Sequence, residues 1–563
     1  MNKNKVTVFF AVVFSIGLVG AALAASPLEP SDVSPVVSSD AGTVASPGPD
    51  SAVAATRQGD GLLQRVREHR LENGMTVLAL RKPGAPVVSL MMNYLVGSVD
   101  EPSGSTGMAH LLEHMLFKGT TRLGTRDWAA EKPLLEKIER AGAALDDERR
   151  KSARPGYVPD PEKLARLEGE LKELQAAHRP LVIEAEFDAI YQRNGAVGLN
   201  ASTSADLTNY FVSLPSNRLE LWASLESERM RDPVLRQFYT ERDVVMEERR
   251  QRRETQPSGV LYEALLSTAF KAHPYRNPVI GWESDLKTLS LDATREFYRQ
   301  HYGPGSAVVV AVGDLDPDDF FALVERYFGE LPTREKEKSY PTVEPTPSGA
   351  RRVIAHFDAQ PRAALAYLKP TLPHRDDYVL DVIDALLTDG RSSRLNRELV
   401  DRAKVAVSVG SGNGLPGARF DNLFAIFVTP ASGVEPDEAL EAVRAELTRL
   451  AKEPPAPEEL EKILTRLSAD SVRSLVSHHG IARRLAYFQS LAGDWRYAVN
   501  HPKILATITP EEVSAVAARY FTPENETVAI LRKPPPEPLP ADPLPDPLPE
   551  PAPEPAPEGE VAK

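Results

Sequence analysis

Two stretches of the chain follow one plan: LDATREFYRQHYGPGSAVVVAVGDL, from Leu291 to Leu315, and ITPEEVSAVAARYFTPENETVAILRK, from Ile508 to Lys533. Each reads as a helix, an aromatic residue leading into a proline turn, and a strand. A repeat set so far apart constrains the fold more than any other feature, because a duplicated unit implies a duplicated core. Size agrees: the 563 residues exceed the ~250 to 300 at which single cores stop growing.

The repeat divides the chain into halves of roughly 61–335 and 351–535, with the Pro/Ser-rich YPTVEPTPSGA closing a linker over 336–350. Strand-like MTVLAL (Met75 to Leu80) and VVSLMMNYLV (Val87 to Val96) precede an apolar helix, and later helices are punctuated by runs such as SAVVVAVG. That mixture predicts α/β or α+β layers. Between about 128 and 180, two charged helical stretches flank Pro155, Gly156 and Pro159. They predict a helical hairpin inserted in the first half, a solvated or docking arm without a catalytic role.

The ends read differently. Residues 1–25 place Lys3 and Lys5 before an uncharged apolar run and then small residues at Ala22 and Ala24, the plan of an export signal. The apolar run is longer than the ~7 to 15 residues usual in such signals, so an uncleaved membrane anchor is the alternative. Either way the body is expected outside the cytoplasm, in the periplasm if the signal is cut, with no other membrane span. Residues 26–60 have the composition of a disordered linker, and 536–563 alternate proline with acids, a stiff solvated spacer. A net charge of -14 argues against nucleic-acid binding, and the absence of cysteine excludes disulfides and thiol catalysis.

The stretch GMAHLLEHMLFKGT (Gly107 to Thr120) carries the chemistry. His110 and His114 are four residues apart and Glu113 is three beyond the first, so all three project from one helical face. Two imidazoles so placed can grip one ion, and Glu113 beside it can take a proton from water. The other reading is a buried helix, for Met108, Leu111, Leu112, Met115, Leu116 and Phe117 suit a core. It accounts for the leucines but leaves three polar groups needing partners, at about 1 to 3 kcal/mol for each one left unpaired.

H-x-x-E-H inverts the commoner H-E-x-x-H order, and with the sequel MLFKGT the chain resembles the pitrilysin/insulinase family of zinc peptidases, especially its processing-peptidase branch. The likeness spans most of 61–535 but neither the tails nor the charged insertion. It implies two homologous two-layer α/β sandwich domains, α+β in class, closing as a clamshell around one zinc ion. In this family a later helix bears E-R-x-x-V-x-x-E; here ERDVVMEE, Glu241 to Glu248, supplies it. The resemblance makes Glu248 the third metal ligand beside His110 and His114, and Glu241 a carboxylate that orients a ligand. Helical geometry agrees, since a spacing of seven keeps Glu241 and Glu248 in line while Glu247 points about a third of a turn away. Manganese or cobalt suits the same ligands.

GLNASTSADLTNYF (Gly198 to Phe211) resembles the family's N-A-x-T segment on a strand edge near zinc. Asn200 is then expected to hold a substrate carbonyl and the backbone at Ala201 to pair with an extended peptide; a plain Ser/Thr-rich turn is the alternative. His273, His478 and His479 lack metal spacing and are expected to be structural. The function implied is an exported zinc metalloendopeptidase with Glu113 as general base. A non-catalytic scaffold or chaperone subunit of the same fold is the alternative, and an envelope protein docking through its proline tail a weaker one.

In the family the C-terminal half usually contributes an arginine and, seven residues on, a tyrosine to substrate. In GRSSRLNRELVDRAKVAVSVGSG (Gly390 to Gly412) those positions fall on Val400 and Val407, with Arg402 the only cation a shifted register would offer. The resemblance therefore predicts a second, homologous subunit that carries the Arg/Tyr pair, as in heterodimeric processing peptidases.

Overall fold

The structure is a computed structural model that describes residues 61–535 apart from 62, 63, 153 and 334–339. The expected signal segment, the N-terminal linker and the proline-rich tail lie outside the described residues, as does the start of the 336–350 connection.

The first half builds a six-stranded sheet from β1 (Val66–Arg70), β2 (Thr76–Arg81), β3 (Val87–Tyr94), β4 (Val197–Thr203), β5 (Thr208–Pro215) and β6 (Ala307–Gly313), in the order β1-β2-β6-β3-β5-β4. Only β2 and β6 run parallel. β6 is a run of β-branched and small residues buried along its whole length, as a strand covered on both faces must be.

The second half repeats the plan. β7 (Arg351–His356), β8 (Arg362–Lys369), β9 (Ala406–Leu415), β10 (Asn422–Pro430) and β11 (Glu526–Arg532) form a sheet ordered β7-β11-β8-β10-β9, again with one parallel pair, β7 and β11. They stand where β2, β6, β3, β5 and β4 stand in the first sheet, so β4 and β9 are corresponding edge strands. The repeated stretches become matching helix–turn–strand units: Leu291–His301 leads into β6, and Pro510–Tyr520 into β11. The chain is thus α+β with two related halves.

The helices that position the site are α1 (Met108–Met115), α2 (Trp128–Ser152), α3 (Pro161–His178), α4 (Phe238–Arg249), α5 (Pro257–Ala269), α6 (Arg375–Thr388) and α7 (His478–Ala492). One face of each sheet carries helices of its own half. The opposite face carries one helix of the other half, a feature the sequence gives no sign of. Ile481, Leu485 and Phe488 of α7 pack on Leu78, Leu80, Met91, Val310 and Val312 of the first sheet. In return Leu261, Leu265, Leu266 and Ala269 of α5 pack on Ala364, Ala366, Ala425 and Ala529 of the second. Alanine on this face lets the helix approach closely, and each leucine so buried contributes about 1.5 to 3 kcal/mol.

α2 and α3 form the charged hairpin. Asp160 caps α3 by accepting from Glu162 and Lys163 backbone nitrogens at 3.1 and 3.0 Å, with Pro161 in the first turn. Its base is tied down by fully buried Glu131, which accepts from Arg236 Nε at 2.9 Å and pairs with His178 Nε2 at 2.8 Å.

The halves also meet beside β4. Asp206, in the β4–β5 turn, accepts from Tyr275 Oη at 2.5 Å and from Ala418 and Arg419 backbone nitrogens at 2.6 and 3.2 Å. Arg419 in turn reaches both carboxylate oxygens of Asp100 at 3.0 Å. The approach is close enough that any side chain at Gly417 would collide with the Asp206 carboxylate. No described helix is long and apolar enough to cross a membrane.

Candidate metal centre

α1 starts at Gly107, whose φ of 92° favours glycine; a Cβ there would also meet Ile280 O at 2.7 Å and Leu286 Cδ2 at 2.8 Å. The amides that a helix start leaves without intrahelical partners are served from a distance: Glu101 accepts from Gly107 N and Ala109 N, each at 2.8 Å. Burial pushes the Glu101 carboxyl up to about 8 against the pull of those two amides.

From this fixed start Met108, Leu111, Leu112 and Met115 enter the first core. His110 and His114 face α4 instead, their rings 4.8 Å apart. His110 Nε2 lies 3.6 Å from Glu248 Oε1, and His114 Nε2 lies 3.6 Å from Glu248 Oε2. One ligand atom from each of the three residues falls within 4.8 Å of the others, and no other described group of His, Asp or Glu is identified as coming together in this way. Two imidazoles and a carboxylate are the donors zinc favours. The site also leaves buried polar atoms wanting: His110 Nδ1 and Glu248 Oε1 make no hydrogen bond. By donor type and by these orphaned atoms the residues fit a divalent ion.

Glu241, two turns before Glu248, accepts from Lys118 Nζ at 2.6 Å and pairs with His114 Nδ1 at 3.0 Å. Burial alone would raise its carboxyl, but His114 and Lys118 outweigh it and hold the group down at about 2. The same contact raises His114 against the effect of burial, whereas burial and the neighbouring His114 drive His110 well down. Glu247 points away and binds Arg250 at 2.8 and 2.7 Å.

Glu113 is buried on the same helix, its Oε2 accepting from Thr203 Oγ1 at 2.6 Å. Burial raises its carboxyl, and the Thr203 bond opposes that rise. Thr203 ends β4, so the edge strand reaches the metal helix directly. Asn200 and Ala201 lie on β4 opposite Phe211 and Tyr210. Asn200 Oδ1 accepts from Ala201 N at 2.9 Å, so this oxygen turns back on the strand. The expected substrate role of the two residues thus rests on the edge position of β4.

Thr203 and Lys118 touch site residues, and Glu101 holds the start of their helix, without having been singled out from sequence. Thr203 and Lys118 sit inside the quoted motifs, but their partners lie on elements distant along the chain. The His479 ring packs tilted against Phe211 at 5.0 Å, and His273 Nδ1 accepts from Tyr275 N at 3.2 Å, both far from metal geometry.

In the second half α6 takes the place of α1, with aspartates where α1 has its polar face. Asp381 pairs with His501 Nε2 at 3.1 Å and accepts from Asn413 Nδ2 at 2.8 Å, while Asp384 accepts from Ser411 on β9. Val400 packs against the second core and Val407 is exposed on β9. Arg402 pairs with Glu398 at 3.4 Å.

Among the described residues the duplicated fold carries one cluster of metal-ligand type, on the first half. The family description "Insulinase (Peptidase family M16)" matches residues 76–146 and 182–283, and "Peptidase M16 inactive domain" matches 288–467. Together they cover more than half of the chain, which belongs to this family. The part between the first two matches, 147–181, includes α3.

The zinc protease PqqE of Helicobacter pylori is 28% identical over 490 residues, spanning 85% of this chain and 96% of that protein. A solved protease structure from Helicobacter pylori has a TM-score of 0.69 at 27% identity, covering 83% of this chain and 99% of its own. The periplasmic protease PqqL of Escherichia coli shares the fold, with a TM-score of 0.61 at 18% identity over 83% of this chain and 48% of that one.

Proposed function

We propose that this chain is an exported zinc-dependent metalloendopeptidase that hydrolyses bonds in extended or unfolded peptides, with one zinc ion per chain. The observation that carries the reading is the meeting of His110, His114 and Glu248 beside Glu113, which shares the helix of two of them. His110, His114 and Glu248 would hold the ion, with Glu241 fixing the ring of His114. When bound, zinc supplies Lewis acidity to the attacking water and to the substrate carbonyl.

Glu113 takes the proton of that water and returns it to the leaving amine, so its carboxylate is regenerated with each bond cut. The Thr203 hydroxyl holds one oxygen of Glu113 and leaves the other to the proton. Burial makes the carboxylate a stronger base than one in water. β4 is a half-exposed edge strand against α1, and an edge pairs only with a substrate whose backbone is extended and unpaired. Export is supported by the basic, apolar and small-residue plan of residues 1–25 and by the periplasmic setting in the name of the Escherichia coli relative.

The test uses the full chain, stripped by a chelator and reloaded with zinc, on an unstructured peptide whose products are read by mass spectrometry. Cleavage at internal bonds should appear only after reloading. Cleavage that ignores the chelator would overturn the reading. A chain holding stoichiometric zinc that cuts nothing, alone or with a partner, would be the scaffold subunit instead.

A further inference from the structure

The chain after Glu248 leaves regular helix for a wider turn over Arg250–Glu254, a departure frequent at functional sites. The arginine-rich run through this segment divides sharply. Arg249 forks onto Glu263 at 3.0 Å, Arg250 forks onto Glu247, and Arg253 lies over the Tyr262 ring at 5.4 Å. Arg249 and Arg250 thus serve the scaffold.

Arg252 does not. Its Nη1 stands 2.8 Å from Glu248 Oε1, an oxygen that accepts no hydrogen bond among the described residues. It is 34% exposed, against 15% for Glu248. Its charge also acts on His110, as that of Arg253 does, and on Glu113. An ion pair on a solvated helix face would have no such neighbours.

At the two positions where the resemblance would place an arginine and a tyrosine the second half has Val400 and Val407, and nearby Arg402 pairs with Glu398. We propose that Arg252 is the substrate-binding cation of this site, donating hydrogen bonds to the carbonyl of the bond to be cut, so that no second subunit is needed to supply one. The proposal rests on the peptidase reading. Arg252 transfers no proton; it contributes N–H donors and charge, and it gains freedom to do so when Glu248 shares its charge with a metal.

The test pairs Arg252→Met with Arg252→Lys, in the full zinc-loaded chain and again combined with Glu113→Gln. The first readout is the affinity of the Glu113→Gln chain for a fluorescent unstructured peptide, by anisotropy. Arg252→Met should weaken it about 10-fold or more, as loss of a hydrogen bond from a charged donor does, and Arg252→Lys should restore part of it. The second is zinc affinity by chelator competition, which should be unchanged or tighter in Arg252→Met, since a like charge beside the cation is gone. The third is turnover, which should fall about 100-fold to 1000-fold, as for other donors to a developing oxyanion.

Peptide affinity unmoved by Arg252→Met overturns the proposal, as does zinc loss that accounts for the whole effect, which would make Arg252 a prop for Glu248. Turnover that appears only when a homologous subunit bearing the Arg/Tyr pair is added overturns it too. A wild-type chain that never cuts, while its peptide affinity still depends on Arg252, removes the peptidase reading and leaves Arg252 as a peptide-binding residue.

Discussion

Glu247 and Glu248 are neighbours in sequence with opposite surroundings. Glu248 is 15% exposed and faces two imidazole nitrogens, whereas Glu247 is 49% exposed and spends its oxygens on Arg250 and Gln251. Glu248→Gln is therefore expected to weaken zinc at least ~10-fold, because an amide is a poorer ligand than a carboxylate. Glu247→Gln should stay within about twofold of wild type, its exposed pair being worth little. Chelator competition on the two purified variants reads the difference, and the reverse order would move the third ligand. Much of this was legible in the sequence, since H-x-x-E-H and the seven-residue spacing of Glu241 and Glu248 are facts of one helix each. Thr203 and Lys118 were not, because what gives them meaning is a contact between elements that sequence spacing does not encode.

Among the elements, α6 records what the second half has lost. Asp384 on it is 1% exposed, one carboxylate oxygen accepts from Ser411, and the other has no hydrogen-bond partner among the described residues. Burial raises this carboxyl to about 7 against the Ser411 bond, with Asp381 and Asp389 adding to the rise and Lys369 opposing it. The folded state thus holds the proton more tightly than the unfolded chain, whose aspartate titrates near ~3.9. Stability from this group is full below about pH 4 and falls as pH rises toward about 7, by on the order of 4 kcal/mol. Asp384→Asn should accordingly stabilise the chain more at about pH 8 than at about pH 5, as urea titrations at the two values would record. An equal effect at both would place the charge elsewhere.

The exchanged helices make a second prediction at this scale. Leu485 on α7 is fully buried against the first sheet, so Leu485→Ala should cost about 2 to 5 kcal/mol and lower the melting temperature. A negligible shift would mean that α7 does not cover that sheet in solution. The repeat of helix, proline turn and strand was readable because it is local. The exchange was not, for the alanines on β8, β10 and β11 that receive α5 carry no periodic signal of their partner.

At the scale of the whole molecule, two halves descended from one plan have divided their work. The first holds the metal-type cluster and the edge strand beside it; the second closes the first sheet with α7 and anchors the β4–β5 turn through Ala418 and Arg419. The C-terminal end of β4 and the turn after it are therefore held twice, by Thr203 on Glu113 and by Asp206 on the other half, which ties the position of the base to the packing of the two halves. The central claim is that Glu113 performs proton transfer at a zinc site in this chain. Its most direct test is turnover of an unstructured peptide by wild type and Glu113→Gln, with zinc content measured on the same samples. Zinc should be equal in both, and the variant should lose about 100-fold to 10,000-fold in rate, the range for a general base. Equal rates at equal zinc would contradict it.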